Sequence, residues 1–131
     1  MRFQVIVIDP FTYTIKEAAM ESRGGGREIY RMLSNEEFYV DYYIPRELEV
    51  PALNRSYGDH IYIDGNKQAS SNLFRFEGHD LYAGKGVVLH VDRDGNYGPP
   101  KISLESVTKL VTFITRVDDF YIDRPMIETV A

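Results

Sequence analysis

The strongest constraint on this chain is Val5-Ile6-Val7-Ile8, a β-branched run stopped at once by Asp9-Pro10. Side chains branched at Cβ crowd a helix and suit a pleated strand. Phe3 to Ile8 therefore reads as a buried strand. Proline has no N–H to give to a ladder, so Pro10 closes it. Tyr13-Thr14-Ile15-Lys16-Glu17 then alternates apolar with polar, as the second arm of a hairpin does. The connection, Asp9-Pro10-Phe11-Thr12, has turn chemistry.

From Ala18 to Gly26 the strand pattern is lost, and Gly24-Gly25-Gly26 is too flexible to sit cheaply inside a regular element. Ile29, Met32 and Leu33 fall on one helical stripe, which predicts a short helix over 27–33. Phe38, Val40, Tyr42 and Ile44 alternate as a strand that Pro45 closes, and 46–57 reads as a loop. Ile61-Tyr62-Ile63, Asn72 to Phe76 and Gly86 to Val91 read as further strands. Asp64-Gly65-Asn66 and Asp94-Gly95-Asn96 are turns. Ser103 is placed to cap a helix, with Glu105 in its first turn, where the helix dipole favours a negative charge. That helix is short, because Val111 to Thr115 is strand material. The fold class expected is α+β: a mainly antiparallel sheet or half-barrel of about seven strands with two short helices. A single domain over 1–117 is followed by an acidic tail, 118–131, that a neighbouring subunit could exchange.

The composition narrows the function classes. The chain has 131 residues, 44% hydrophobic and 27% charged, which is ordinary for one folded domain. It has no Cys, so disulfides, thiolate metal sites and a Cys nucleophile are excluded. A net charge of −5 argues against a broad duplex-DNA footprint. The longest apolar run is too short to span a bilayer, and Met1 to Gln4 lacks the features of a signal peptide. The expected location is the cytoplasm. Tyr (10), Phe (7) and Arg (10, against 5 Lys) are abundant. Rings stack and guanidinium binds oxyanions bidentately, so these residues suit interfaces and flat anionic ligands.

No reaction motif survives inspection. Ala83-Gly84-Lys85-Gly86 lacks the spacing of a phosphate loop and leads into a strand. Asp92-Arg93-Asp94-Gly95-Asn96 starts like a calcium loop, but Tyr97 and Ser103 stand where Gly and Glu are needed. His60, His79 and His90 lack metal-ligand spacing, and no Gly-x-Ser-x-Gly elbow is present. No catalytic residue, metal or cofactor is therefore expected. The candidate ligand-binding set rests on side-chain chemistry. Arg23 and Arg27 bracket the glycines and could close over a phosphate. Asn72, Phe74 and Phe76 share one strand, and Lys85 and Arg116 add positive charge.

A resemblance adds to this reading. Val5–Asp9-Pro10 with Tyr13-Thr14-Ile15, Tyr30-Arg31-Met32-Leu33, Ile61-Tyr62-Ile63-Asp64-Gly65, Asn72-Leu73-Phe74-Arg75-Phe76-Glu77-Gly78, Leu81 to Gly86 and Val91 to Gly95 carry it. In that order, over Phe3 to Phe113, the chain resembles a group of small bacteriophage proteins of mostly unassigned role. The triple glycine and the acidic tail depart from the pattern. A looser likeness is to phage sponges that sequester the nucleotide signals of bacterial defence, of the anti-Thoeris and anti-CBASS type. The resemblance implies a non-catalytic protein in the host cytoplasm. It would bind a cyclic nucleotide or a cyclic ADP-ribose-like molecule. Separately, a strand-like C-terminal segment leaves sheet edges to cover, which predicts a homo-oligomer, and the charge and apolar-run length predict no duplex nucleic acid and no membrane. Two other readings remain open. One is an inhibitor of a host enzyme, acting through an acidic, tyrosine-rich surface. The other is a small enzyme that pairs a histidine with a carboxylate.

Overall fold

In the computed structural model, the described residues are 2–21, 28–29, 32–33, 46–47, 58–63, 71–77, 81–125 and 128–130. Two sheets account for most of them. The first has seven strands. Its path runs β11 (Glu128–Val130), β2 (Thr14–Glu21), β1 (Arg2–Asp9), β7 (Gly86–Val91), β4 (Gly58–Ile63) and β3 (Arg46–Glu47), with β8 (Tyr97–Gly98) also beside β7. The second has four strands in the order β10 (Phe120–Arg124), β9 (Val111–Val117), β5 (Asn72–Phe76) and β6 (Leu81–Ala83). Every pairing is antiparallel except β11 on β2.

This corrects the α+β expectation of one seven-stranded sheet or half-barrel with two short helices. The molecule is mostly antiparallel β in two separate sheets, and only the helix Leu104–Leu110 is described from end to end. The missed strands have tertiary causes. β2 runs on to Glu21 because all eight of its residues pair with β1, from Asp9↔Thr14 to Arg2↔Glu21. Arg46 and Glu47, read as loop, pair with Ile61 and His60. The stretch read as an acidic tail supplies β10 to the second sheet and β11 to the first. The expected strand at 38–44 and the turn at 64–66 lie outside the described residues.

The β-branched run is buried along its length because the first sheet is covered on both faces. Ile6 and Ile8 join Ile15, Ile61, Ile63 and Val88 against Phe74, Phe76, Tyr82 and Phe113 of the second sheet. Val5 and Val7 face the other way, onto Met20, Tyr62, Leu89 and the helical residues Ile29 and Leu33. Alternation of side chains across a strand forces this division. The two sheets approach closely at Gly86. A Cβ there would lie 2.8 Å from Phe74 Cζ and 3.3 Å from Ile61 Cγ2.

The turn and cap chemistry is as the residues suggest. The Asp9 carboxylate accepts from the amides of Phe11 (2.9 Å) and Thr12 (3.3 Å), which tightens the first hairpin. Ser103 Oγ accepts from the Ser106 amide at 3.0 Å, and Glu105 sits in the first turn of the helix. Val107 turns into the core between the sheets.

Candidate functional site

The outer part of the β9–β10 hairpin, from Val117 to Arg124, is exposed throughout. Phe120 pairs with Val117 across the loop Asp118-Asp119, Tyr121 with Arg116, Ile122 with Thr115, and Arg124 with Phe113. Asp118 adopts the left-handed conformation at φ 54°, which the tight reversal requires and which Asp tolerates better than most residues. Every residue of β10 is exposed, and Phe120 reaches 71% and Tyr121 56%. Single exposed apolar residues are ordinary, whereas a contiguous group marks an interaction surface. Val117, Phe120 and Ile122 form such a group on one face, and Tyr121 is exposed on the other.

Pleat alternation divides these side chains between two faces. Val117, Phe120, Ile122 and Arg124 share the face that carries Phe113 and the core, but lie beyond it. On that face Arg124 Nε donates to Thr115 Oγ1 at 3.2 Å, and Tyr13 Oη lies 3.4 Å from the same oxygen. Arg116 and Tyr121 are direct cross-strand neighbours on the opposite face, as are Ile114 and Asp123; Ile114 and its β5 neighbour Leu73 are buried on that face. Directly opposed Cβ atoms lie about 4.5–5.5 Å apart. Half-buried Arg116 and exposed Tyr121 are thus neighbours across the strand pair. Arg75 stands exposed on the same face of the sheet, in register with Thr112.

The candidate residues named from the sequence do not gather into one place. Arg23 and Arg27, with the glycines between them, lie outside the described residues. Phe74 and Phe76 are core residues, 0% and 1% exposed, so neither ring has a face open to a ligand. Asn72 is half-buried at the start of β5, opposite Thr115. Lys85 Nζ lies 3.9 Å from Asp9 Oδ2, which ties it to the first hairpin's turn. Of the set's described residues, Arg116 alone is the cross-strand neighbour of an exposed ring. Sequence reasoning missed Phe120, Tyr121 and Ile122 because Asp-Asp is not a strong hairpin signal. The alternation across that dipeptide was the available clue.

A second polar cluster joins β4, β7 and the segment leading to the helix. The Asp59 side chain is fully buried. Its Oδ1 accepts from His90 Nδ1 (2.8 Å) and the Lys101 amide (3.0 Å), and its Oδ2 from the Ile102 amide (2.8 Å). Asp59 and His90 are a cross-strand pair on one face. Because an ionised carboxylate only accepts, Nδ1 is the donor of this pair. The paired ring resembles a base oriented by an acid. Each carboxylate oxygen is nevertheless committed to holding the chain at 101–102. The cluster therefore reads as a clasp.

Nearby, the Asp92 carboxyl is held below its ordinary value. The amide of Asn96 is the main cause, assisted by that of Asp94, both 2.9 Å from Oδ1. These bonds close the 92–96 turn, with Gly95 at φ 84°. No group of three or more His, Cys, Asp or Glu among the described residues could hold a metal ion. No described helix is long and apolar enough to cross a membrane. No protein-family model, curated protein or solved structure matches the chain.

Proposed function

We propose that this chain is a non-catalytic binding protein that holds a flat, anionic, nucleotide-like molecule at the exposed β9–β10 end of the second sheet, on the face that carries Arg116 and Tyr121. The observation that carries this reading is the cross-strand pair Arg116–Tyr121, with the Tyr121 side chain 56% exposed. Guanidinium meets phosphate by charge and paired hydrogen bonds, and a phenol ring offers a stacking platform that accepts any base. The looser likeness to phage anti-defence sponges supplies the ligand class: a cyclic nucleotide or cyclic ADP-ribose-like defence signal, sequestered in the host cytoplasm.

Calorimetric titration with cyclic dinucleotides and cyclic ADP-ribose isomers tests this. One of them binds, it is recovered unchanged, and Tyr121→Ala weakens binding roughly ten- to a hundred-fold, the range that base–ring stacking provides. Absence of binding across the panel, or full affinity in Tyr121→Ala, refutes the reading.

A second reading is favoured by the charge around the same hairpin. Asp118, Asp119 and Asp123 border Phe120 and Tyr121, an acidic rim around apolar anchors. Such a surface suits inhibition of a host enzyme that has a basic face. A stoichiometric protein partner that Phe120→Asp releases, while nucleotide titrations stay silent, would favour it.

A further inference from the structure

We infer that β10 pairs with β10 of a second copy, antiparallel and centred on Ile122, so that the two four-stranded sheets join into one. β10 is the edge of its sheet and pairs only with β9 among the described residues. In a hairpin with a two-residue loop, the pair flanking the loop is hydrogen-bonded, and bonding then alternates along the strands. Phe120, Ile122 and Arg124 accordingly direct their backbone groups to β9. Tyr121 and Asp123 direct theirs to the open edge. An exposed edge with apolar side chains is a template for another strand.

The side chains select the occupant and the register. In Phe120-Tyr121-Ile122-Asp123-Arg124, an antiparallel two-fold through Ile122 sets Phe120 opposite Arg124, Tyr121 opposite Asp123, and Ile122 opposite itself. Each pair is favourable: a cation over a ring face, a hydroxyl donor beside a carboxylate, and two β-branched apolar groups. The neighbouring registers fail on charge. Centring on Tyr121 sets Asp119 against Asp123, and centring on Asp123 sets Asp123 against itself. Like charges directly opposed destabilise a strand pair. Only the Ile122 register lets Tyr121 and Asp123 exchange both backbone bonds with no carboxylate facing another. The interface is isologous, as a two-fold demands. On the core-side face, Val117, Phe120 and Ile122 of both copies then form one apolar strip. This pairing does not rest on the ligand reading, although both use the Tyr121 side chain: the strand edge bonds through its backbone in the plane of the sheet, whether or not a ligand stacks on the ring.

The chain has no Cys, so a single introduced thiol reports the register. At a non-hydrogen-bonded antiparallel pair, Cα atoms are about 4.5 Å apart, within the disulfide range of roughly 4.4–6.8 Å. Under mild oxidation Ile122→Cys should give a disulfide-linked dimer readily, and Phe120→Cys should not. Light scattering of the wild-type chain should show its mass rising from 15.1 kDa toward twice that value between micromolar and millimolar concentration. Asp123→Pro removes an edge N–H without touching the bonds to β9. It should remain folded by circular dichroism and stay monomeric. A wild-type chain that is monomeric at millimolar concentration overturns the inference. So does cross-linking of Phe120→Cys as fast as Ile122→Cys, or an undiminished dimer in folded Asp123→Pro.

Discussion

Replacing Asp59 by Asn keeps the shape of the side chain and removes its ability to accept on both sides. The native carboxylate, fully buried, takes three hydrogen bonds: His90 Nδ1 and the Lys101 amide on one oxygen, the Ile102 amide on the other. In Asn the best orientation keeps the carbonyl toward His90 and Lys101 and turns the NH₂ against the Ile102 amide, donor against donor. One charge-assisted bond is lost, worth about 1.5–3 kcal/mol. The remaining two weaken because their acceptor is no longer charged. The Ile102 amide is only part-buried and can recover some hydration. A loss of about 2–3 kcal/mol follows. For a domain of this size that lowers Tm by roughly 8–12 °C. Urea denaturation followed by circular dichroism measures it, and hydrogen exchange at the Lys101 and Ile102 amides should accelerate in step. Because His90 shares the carboxylate, the effects of Asp59→Asn and His90→Ala should sum to more than the double variant loses. Stability within about 0.5 kcal/mol of wild type in Asp59→Asn would refute the clasp reading.

Three further outcomes follow from single observations. Gly86→Ala should lose about 1–3 kcal/mol by urea titration, since its methyl meets the fully buried Phe74 ring at 2.8 Å, and trimming that ring with Phe74→Leu should recover part of the loss. Asp118→Gly should raise stability by about 0.5–1 kcal/mol, because glycine holds φ 54° without strain, and a lower urea midpoint would contradict this. The Asp92 carboxyl is depressed in the folded state by the Asn96 amide. Its contribution is therefore present above the unfolded carboxylate pKa and fades as pH falls through the folded value. Asp92→Asn should lower the urea midpoint at neutral pH, and the gap should close under acid; a gap independent of pH would contradict the assignment.

Local chemistry wrote much of the first hairpin and the helix start into the sequence. β-branched crowding at Val5–Ile8, the Asp9 amide-binding turn and the Ser103 cap act over a few residues, so their causes are visible in the chain. What belongs to contacts distant in sequence was not legible there. Ala18 and Ala19 are extended because β1 lies alongside them, not through any preference of their own. Phe74 and Arg75 look equally available to a ligand in the sequence, yet the neighbouring sheet buries the first and leaves the second exposed. Asp59 meets His90 and residues 101–102 only once β4 and β7 pair. The hairpin 111–124 places Arg116 beside Tyr121 through its register alone. Propensity and turn chemistry decide where strands begin and stop. Which strands become neighbours, and which side chains meet, depends on burying apolar surface between sheets, a quantity that no short window of residues contains.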